Sequence, residues 1–422
     1  MDSRLQSLID CSRVKFGLEN YFLKRHELYR EVNLFNETLY TFCMEWFPNG
    51  VEHEDEDTNP EGTAVIELNL KKDQYERVIF VGGKSYANGV RFPNHDRNQI
   101  FKWIEEETGL TYGEYFQFHK EEEGRLYFKK CINDIPLSPS SSIEIEVDQD
   151  GNLTFFSMHG PFPSEEMIKE EPYTLSLEDI EHISKVQLQL IEFPSDEQKR
   201  LIPLYAMEEI YIANNGKSTI PFEFIVNGRP PLEINKTVYW DSVAEGNPFK
   251  RKSISLQENI TIEQAFSCEP SLETYPITES EQEKCVAVVQ DLLCREYPSD
   301  SGKWILKTLH SEKGFIHAIL RMNKQDHRVF QRKLTIIIER KSLEAINYID
   351  NKLMLEMFEH YQASEQVTIS KEEAFEKLKT RFELKPYYVF DPKQGQYRLC
   401  GKLDCHYGVN ASTGEIIALR DL

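Results

Sequence analysis

Apolar positions along the chain follow two rhythms. Alternation with a period of two marks a strand with one buried face. It runs through Leu126–Cys131 and Ile143–Val147, and through Leu153–Ser157 after an Asp150-Gly151 hairpin turn. Ala64–Leu70, Arg77–Val81, Leu204–Ala213, Phe315–Met322 and Val329–Glu339 read as strands too. Phe35–Phe47 is an aromatic-rich strand stopped by Pro48-Asn49-Gly50, and Pro221–Val226 continues a sheet beyond the Asn214-Asn215-Gly216 turn. Helical stretches are expected over residues 1–35, Asn94–Gly109, Glu283–Glu296 and the Met-bearing Leu343–Ala363.

Helix starts carry chemical signatures. Ser176-Leu177-Glu178-Asp179, Thr261-Ile262-Glu263-Gln264 and Ser370-Lys371-Glu372-Glu373 each place a hydroxyl before the first turn and a carboxylate or amide three residues on. After the last of these come a helix to about Phe382, strands Tyr387–Asp391, Gln396–Asp404 and Tyr407–Asn410, a Ser412-Thr413-Gly414 turn, and Glu415–Leu419. A helix followed by an antiparallel meander is an α+β signature. The same grammar recurs. Val147–Leu153 and Val409–Ile416 both end a strand in Asp or Asn, turn through Gly and restart on an apolar residue. Spacing is too irregular for a solenoid, and duplication is the expectation. Charge, Gly, Pro and Ser at 240–258 suggest a boundary. The expected domains are 1–245, with one or two modules, and 246–422, ending in the clearest module at 369–419.

This C-terminal stretch resembles a PepSY-type module, on Ser370-Lys371-Glu372-Glu373-Ala374 and Asn410-Ala411-Ser412-Thr413-Gly414-Glu415-Ile416. With Tyr205-Ala206-Met207-Glu208-Glu209 and Lys385-Pro386-Tyr387-Tyr388-Val389, the chain resembles the YcdB/YcdC repeat proteins of Bacillus-type bacteria. That resemblance implies repeated PepSY-like modules, each a helix packed on an antiparallel β-meander. It implies a link to peptidase inhibition or to regulation of a local activity. It offers no catalytic motif to transfer. Most such proteins are extracellular or membrane-tethered.

Composition narrows the function classes. The chain has 422 residues with a net charge of −22, 12% of them aromatic, which suits packed cores and argues against nucleic acid as partner. No apolar run approaches the roughly 18 residues of a membrane span. The N-terminus, Met1-Asp2-Ser3-Arg4-Leu5, does not read as a secretory signal, and the eight scattered cysteines form no CxxC pair, so reduced thiols in the cytoplasm are expected.

Candidate chemistry is sparse. His53-Glu54-Asp55-Glu56-Asp57 lacks calcium-loop spacing and reads as a solvated loop. Gly82-Gly83-Lys84-Ser85 contains the end of a phosphate loop, but Val78 stands where its first Gly is needed, so a strand-to-strand loop is expected. Cys400 and Cys405 differ by an odd number and fall on opposite strand faces, against a zinc set with His406. His317 and His327 lie in or near strands. Leu353-Met354-Leu355-Glu356-Met357-Phe358 reads as a core-facing helix rather than an adaptable binding face. No catalytic, cofactor-binding or metal-binding residue is assigned, and no cofactor. The expectation is a non-enzymatic cytoplasmic binding or regulatory protein that takes a protein or peptide at a sheet edge or an intermodule groove. It involves neither nucleic acid nor a membrane. The alternatives are a hydrolase with an interdomain active site, or a structural component.

Overall fold

The computed structural model describes residues 1–51, 58–221, 230–241, 248–255, 258–323 and 327–422. The fold is α+β, with antiparallel ladders carrying the sheets. The chain divides into two compact units, one of Met1–Glu170, Glu258–Thr274 and Tyr387–Arg398, the other of Glu171–Gln257, Tyr275–Pro386 and Leu399–Leu422. The acidic run at 53–57, the 222–226 part of the strand expected after Asn214-Asn215-Gly216, and the 245/246 boundary lie outside the described residues.

In the first unit, α1 (Ser3–Phe16) precedes β1 (Tyr21–Val32), β2 (Thr38–Pro48), β3 (Ala64–Asn69) and β4 (Gln74–Phe80). Residues 1–35 are therefore not one helix. The buried stripe Leu5, Ile9, Ser12, Phe16 ends where Gly17, at φ 62°, turns the chain left-handed and Leu18 N–H donates to the Arg13 carbonyl at 2.9 Å. A second helix, α2 (Arg97–Thr108), is capped by Asp96. It precedes β5 (Gln117–Glu122), β6 (Arg125–Lys129), the short β7 (Cys131–Ile132) and β8 (Ile135–Ser138), then β9 (Ser142–Val147), β10 (Leu153–His159) and β11 (Ile168–Lys169). Eight strands form one sheet in the order β1-β2-β3-β4-β10-β9-β6-β5. Its centre is the antiparallel pair β4·β10, with Val78 opposite Phe156. One face joins Ile9, Phe16, Ile100 and Ile104 in a core with Phe42, Trp46, Phe128 and Phe156. The other face carries ion pairs, among them Arg77–Glu67 and Arg125–Glu146.

The second unit begins with α3 (Glu181–Gln187), β12 (Gln189–Ser195), β13 (Arg200–Ala206), β14 (Ile210–Ala213) and β15 (Thr219–Pro221). The strand expected over Leu204–Ala213 is thus two strands. In chain order, β16 (Leu232–Val238) follows, and the first unit's short α4 (Ile262–Phe266) comes next. Then α5 (Glu279–Glu296) packs on β16, β17 (Trp304–Glu312), β18 (Phe315–Met322), β19 (Lys333–Glu339) and β20 (Glu344–Asp350), a sheet in sequence order. The long helix expected over Leu343–Ala363 is instead β20 and the five-residue α6 (Lys352–Glu356). Residues Leu334–Glu339 hold β20 in an antiparallel ladder, and that long-range pairing overrides local helix preference. Last come α7 (Lys371–Leu378), β21 (Glu383–Asp391), β22 (Gln396–Asp404), β23 (Tyr407–Asn410) and β24 (Ile416–Ala418), with Tyr387–Arg398 of β21 and β22 belonging to the first unit.

The stretches α3–β15 and α7–β24 each place four strands after a helix. The second starts with the expected reciprocal cap, Ser370 with Glu373, whereas Ser176 and Asp179 bond each other in the turn before α3, whose N-cap is Ile180 with no side-chain cap, so the helix expected at Ser176 starts at Glu181 instead. Both hairpin turns close on a positive-φ residue, Lys199 in one and Gly395 in the other. The second strand of each pairs with the third strand of the other: β13 with β23, and β22 with β14. Two hydrogen bonds repeat across that seam, Asn214 N–H to Leu399 O at 3.1 Å and Ala411 N–H to Pro203 O at 2.8 Å. The helices share one core, in which Ile180, Leu188, Phe375 and Phe382 meet Ile212, Leu403 and Val409.

Candidate functional site

The hairpin β12–β13 runs in unbroken register from Gln189 opposite Ala206 to Ser195 opposite Arg200. On the β13 side its inner half, Leu204 and Tyr205, pairs with β23, while β12 is the outermost strand of that sheet. Two segments of the second unit bond the outer half. On β12, Glu192 N–H donates to His327 O at 2.6 Å, and Val329 N–H donates to Glu192 O at 3.1 Å, an isolated parallel bridge. On β13, Leu201 N–H donates to Gln362 O and Gln362 N–H to Lys199 O, both at 3.0 Å. Side chains tie the same corner. Ser364 Oγ donates to Glu192, Tyr361 Oη to Asp196 at 2.7 Å, and Arg200 pairs with Glu365 at 2.5 Å. The other hairpin accepts extended segments likewise: Tyr388 and Val389 of β21 pair in parallel with Leu137 and Ser138, and Tyr397 and Arg398 of β22 with Ile168 and Lys169.

Aromatic rings close the β12–β13 corner. Phe330 stacks on Phe358 with centroids 5.6 Å apart and planes 8° from parallel. Phe193 lies 6.3 Å from Phe330, and Tyr361 meets Phe358 edge-on at 5.4 Å. A cleft of about 190 Å³ opens between Leu201, Met322, Arg328, Phe330, Leu355 and Phe358. Arg332 also lines a shallower cleft of about 590 Å³ with Arg251, Glu296, Tyr297, Tyr348 and Asp350. There Asp350 accepts from Tyr297 Oη at 2.8 Å and from Arg332 at 2.7 Å, and Tyr348 Oη donates to Glu296 at 2.8 Å. Burial opposes the Asp350 charge, but the bonds from Arg332 and Tyr297 outweigh it and hold the carboxyl below its ordinary range. Burial, and then Asp350 itself, push the Tyr297 phenol up.

Beside these clefts the Met-bearing segment faces solvent. Leu353 is 79% exposed, Met354 69%, Met357 62% and Ile349 60%. The expected core-facing helix is corrected here, because α6 has only five residues and none of them is buried.

The other candidates fall elsewhere. Val81–Gly83 forms a single 3₁₀ turn, with Gly82 at φ 74°, and Lys84 pairs with Glu61. Cys400 and Cys405 are buried, the latter donating to Tyr407 O, while the His406 side chain is 67% exposed. His317 stands opposite His310 on the β17–β18 ladder, and His327 contributes its carbonyl to β12. Burial pushes the Cys43 thiol up to about 12 and the Cys285 thiol to about 11, away from nucleophilic form. Ser157 Oγ lies 2.7 Å from His159 Nε2, but Ser157 is fully buried and shielded from a substrate. Among the described residues, no three His, Cys, Asp or Glu converge as metal ligands. Among them, no helix is long and apolar enough to cross a membrane.

Glu192, Phe193 and Phe330 were not singled out by the sequence, and Phe358 only as the end of the Met-bearing segment. A lone bridge between residues far apart in the chain leaves no periodic trace, although the aromatics Phe330 and Phe358 were visible as such.

No known family pattern matches this chain, and no curated protein matches it. Among solved structures it is matched by the Bacillus megaterium YpeB C-terminal domain, at 8% identity, over 83% of this chain and 97% of that one, with a TM-score of 0.24.

Proposed function

We propose that this chain is a non-enzymatic, cytoplasmic binding or regulatory protein, built of PepSY-like modules of the YcdB/YcdC type, that takes a protein or peptide along the outer edge of β12–β13. One observation carries the reading: the outer half of this hairpin accepts extended backbone on both sides, beside an exposed strip of Ile349, Leu353, Met354 and Met357. Strand addition supplies affinity through main-chain hydrogen bonds, and adjacent apolar side chains supply selectivity. Methionines suit such a surface because they repack around different partners. The modular part of the reading is supported by the recurrence of a helix followed by four strands, from α1–β4 to α7–β24. The compartment is supported by eight cysteines of which none forms a disulfide. Neither nucleic acid nor a membrane is among its proposed partners.

The test is selection of displayed peptides on the full chain, repeated on Met354→Glu/Met357→Glu. The reading predicts enrichment of extended peptides with apolar anchors, and roughly ten-fold weaker binding of them to the double variant, as expected for loss of two apolar contacts. Enrichment that ignores the double substitution would place binding elsewhere and refute the assigned surface.

A further inference from the structure

We infer that His327–Gln331 is a built-in pseudo-ligand, which occupies the β12 edge and the slot between Phe193 and Phe358 and yields both to an extended peptide with an aromatic residue flanked by basic ones. The inference rests on the edge-binding reading above and adds what covers the edge and what displaces the cover.

The chemistry of the occupant is displayed by the chain itself. His327 and Val329 supply the carbonyl and N–H that complete Glu192, and Phe330 supplies the ring stacked on Phe358. Arg328 and Arg332 flank that ring in sequence. The surroundings are acidic: Glu192 accepts from Ser364, Glu365 pairs with Arg200, and the chain carries a net charge of −22. The resident Arg332 itself pairs with Asp350 at 2.7 Å, so a basic residue after the aromatic one of an incoming strand has a carboxylate to meet there.

Comparison of the two hairpins separates a removable cover from a permanent one. On β21 the added residues Leu137 and Ser138 are 2% and 5% exposed, sealed into their unit. On β12 the corresponding cover is peripheral: Val329 is 39% exposed and Phe330 48%. Its main-chain hold on β12 is the isolated bridge at Glu192, which an incoming strand remakes with the same two groups, while the Gln331 carbonyl, held by Asn351 Nδ2 at 3.0 Å, anchors the segment's far end. Release therefore exchanges like for like, and the resident segment sets a threshold that a partner must exceed.

A synthetic peptide with the sequence of residues 327–332, His-Arg-Val-Phe-Gln-Arg, blocked at both ends, is the probe. Its binding to the full chain is measured by fluorescence anisotropy for wild type, Phe330→Ala and Phe330→Ala/Phe358→Ala, with melting curves to verify folding. Weakening the resident ring raises the fraction of open sites, so Phe330→Ala should bind roughly ten-fold more tightly than wild type. Removal of Phe358 should reverse that gain, and a probe with Ala for Phe should bind neither protein. In wild type, saturating probe should speed hydrogen exchange at the Val329 amide, a readout independent of any variant's stability. Equal binding by wild type and Phe330→Ala would overturn the pseudo-ligand and leave the edge-binding reading standing. Failure of the probe while selected peptides still bind would do the same. Failure of both probe and selected peptides would overturn the two together.

Discussion

At the scale of single residues, the hairpin turns are built by side chains that fold back on their own backbone. Asn33 Oδ1 accepts from the N–H groups of Phe35 and Glu37, and Asn69 Oδ1 from Lys71 and Lys72. Asp148 Oδ1 accepts from Asp150 and Asn152, and Asn410 Oδ1 from Ser412 and Thr413. A short acceptor at the last strand residue (Asn69, Asn410) or the one just after it (Asn33, Asp148) competes with the ladder and ends it. Two glycines show what the turns demand. Gly395 has φ 64° with open space around it, so Gly395→Ala should cost about 1 kcal/mol, the left-handed penalty alone. Gly151 has φ 82°, and a Cβ there would lie 2.3 Å from the Phe92 carbonyl oxygen. Gly151→Ala should cost clearly more, since backbone has to move. Urea unfolding of the two variants checks this, and equal losses would contradict it. This scale was the most legible: Asp150-Gly151, Asn214-Asn215-Gly216 and the caps at Thr261 and Ser370 are local chemistry and read directly from neighbouring residues.

At the scale of elements, α5 is fixed by one cation. Thr278 and Glu281 form its capping box, and Arg340, 9% exposed just beyond β19, donates to Glu281 at 3.0 Å. Its guanidinium also donates to the carbonyls of Tyr275 and Pro276 and to Ser311 Oγ. Arg340→Met should lose about 2 kcal/mol, because those acceptors lose their donor. The bond from Arg340 leads in holding Glu281 down at about 2, against burial and with help from the Thr278 backbone. A depressed carboxyl favours folding above its ordinary value near 4.5, and that contribution fades as pH falls toward 2. The acid-side fall of Tm should therefore flatten in Arg340→Met, and an unchanged slope would exclude this pair as its source. Elements were less legible than turns where long-range pairing decided. β5 is an exposed polar edge with little apolar rhythm, and β12 is an edge strand containing Pro194. In β17 a bulge between Leu306 and Thr308 breaks the alternation. The strand β20 was hidden because Leu343–Ala363 also satisfies a helical spacing.

At the scale of the whole molecule, the stretches α3–β15 and α7–β24 exchange their middle strands, so neither completes its ladder alone. The cap at Ser370 and the turn after Asn410 were legible as local grammar. The exchange was not, because it joins residues such as Leu204 and Asn410 that no local pattern relates. The same whole carries the proposed edge, and the two features should differ in stability. Strands that complete each other open together, whereas a peripheral cover opens by itself. Native-state hydrogen exchange on the full chain tests this most directly. The account predicts that the amides of Asn214 and Ala411, bonded to Leu399 and Pro203 across the seam, share one high opening free energy, while the Val329 amide on Glu192 opens far more readily. Separate opening energies for Asn214 and Ala411, or a Val329 amide as slow as theirs, would contradict it.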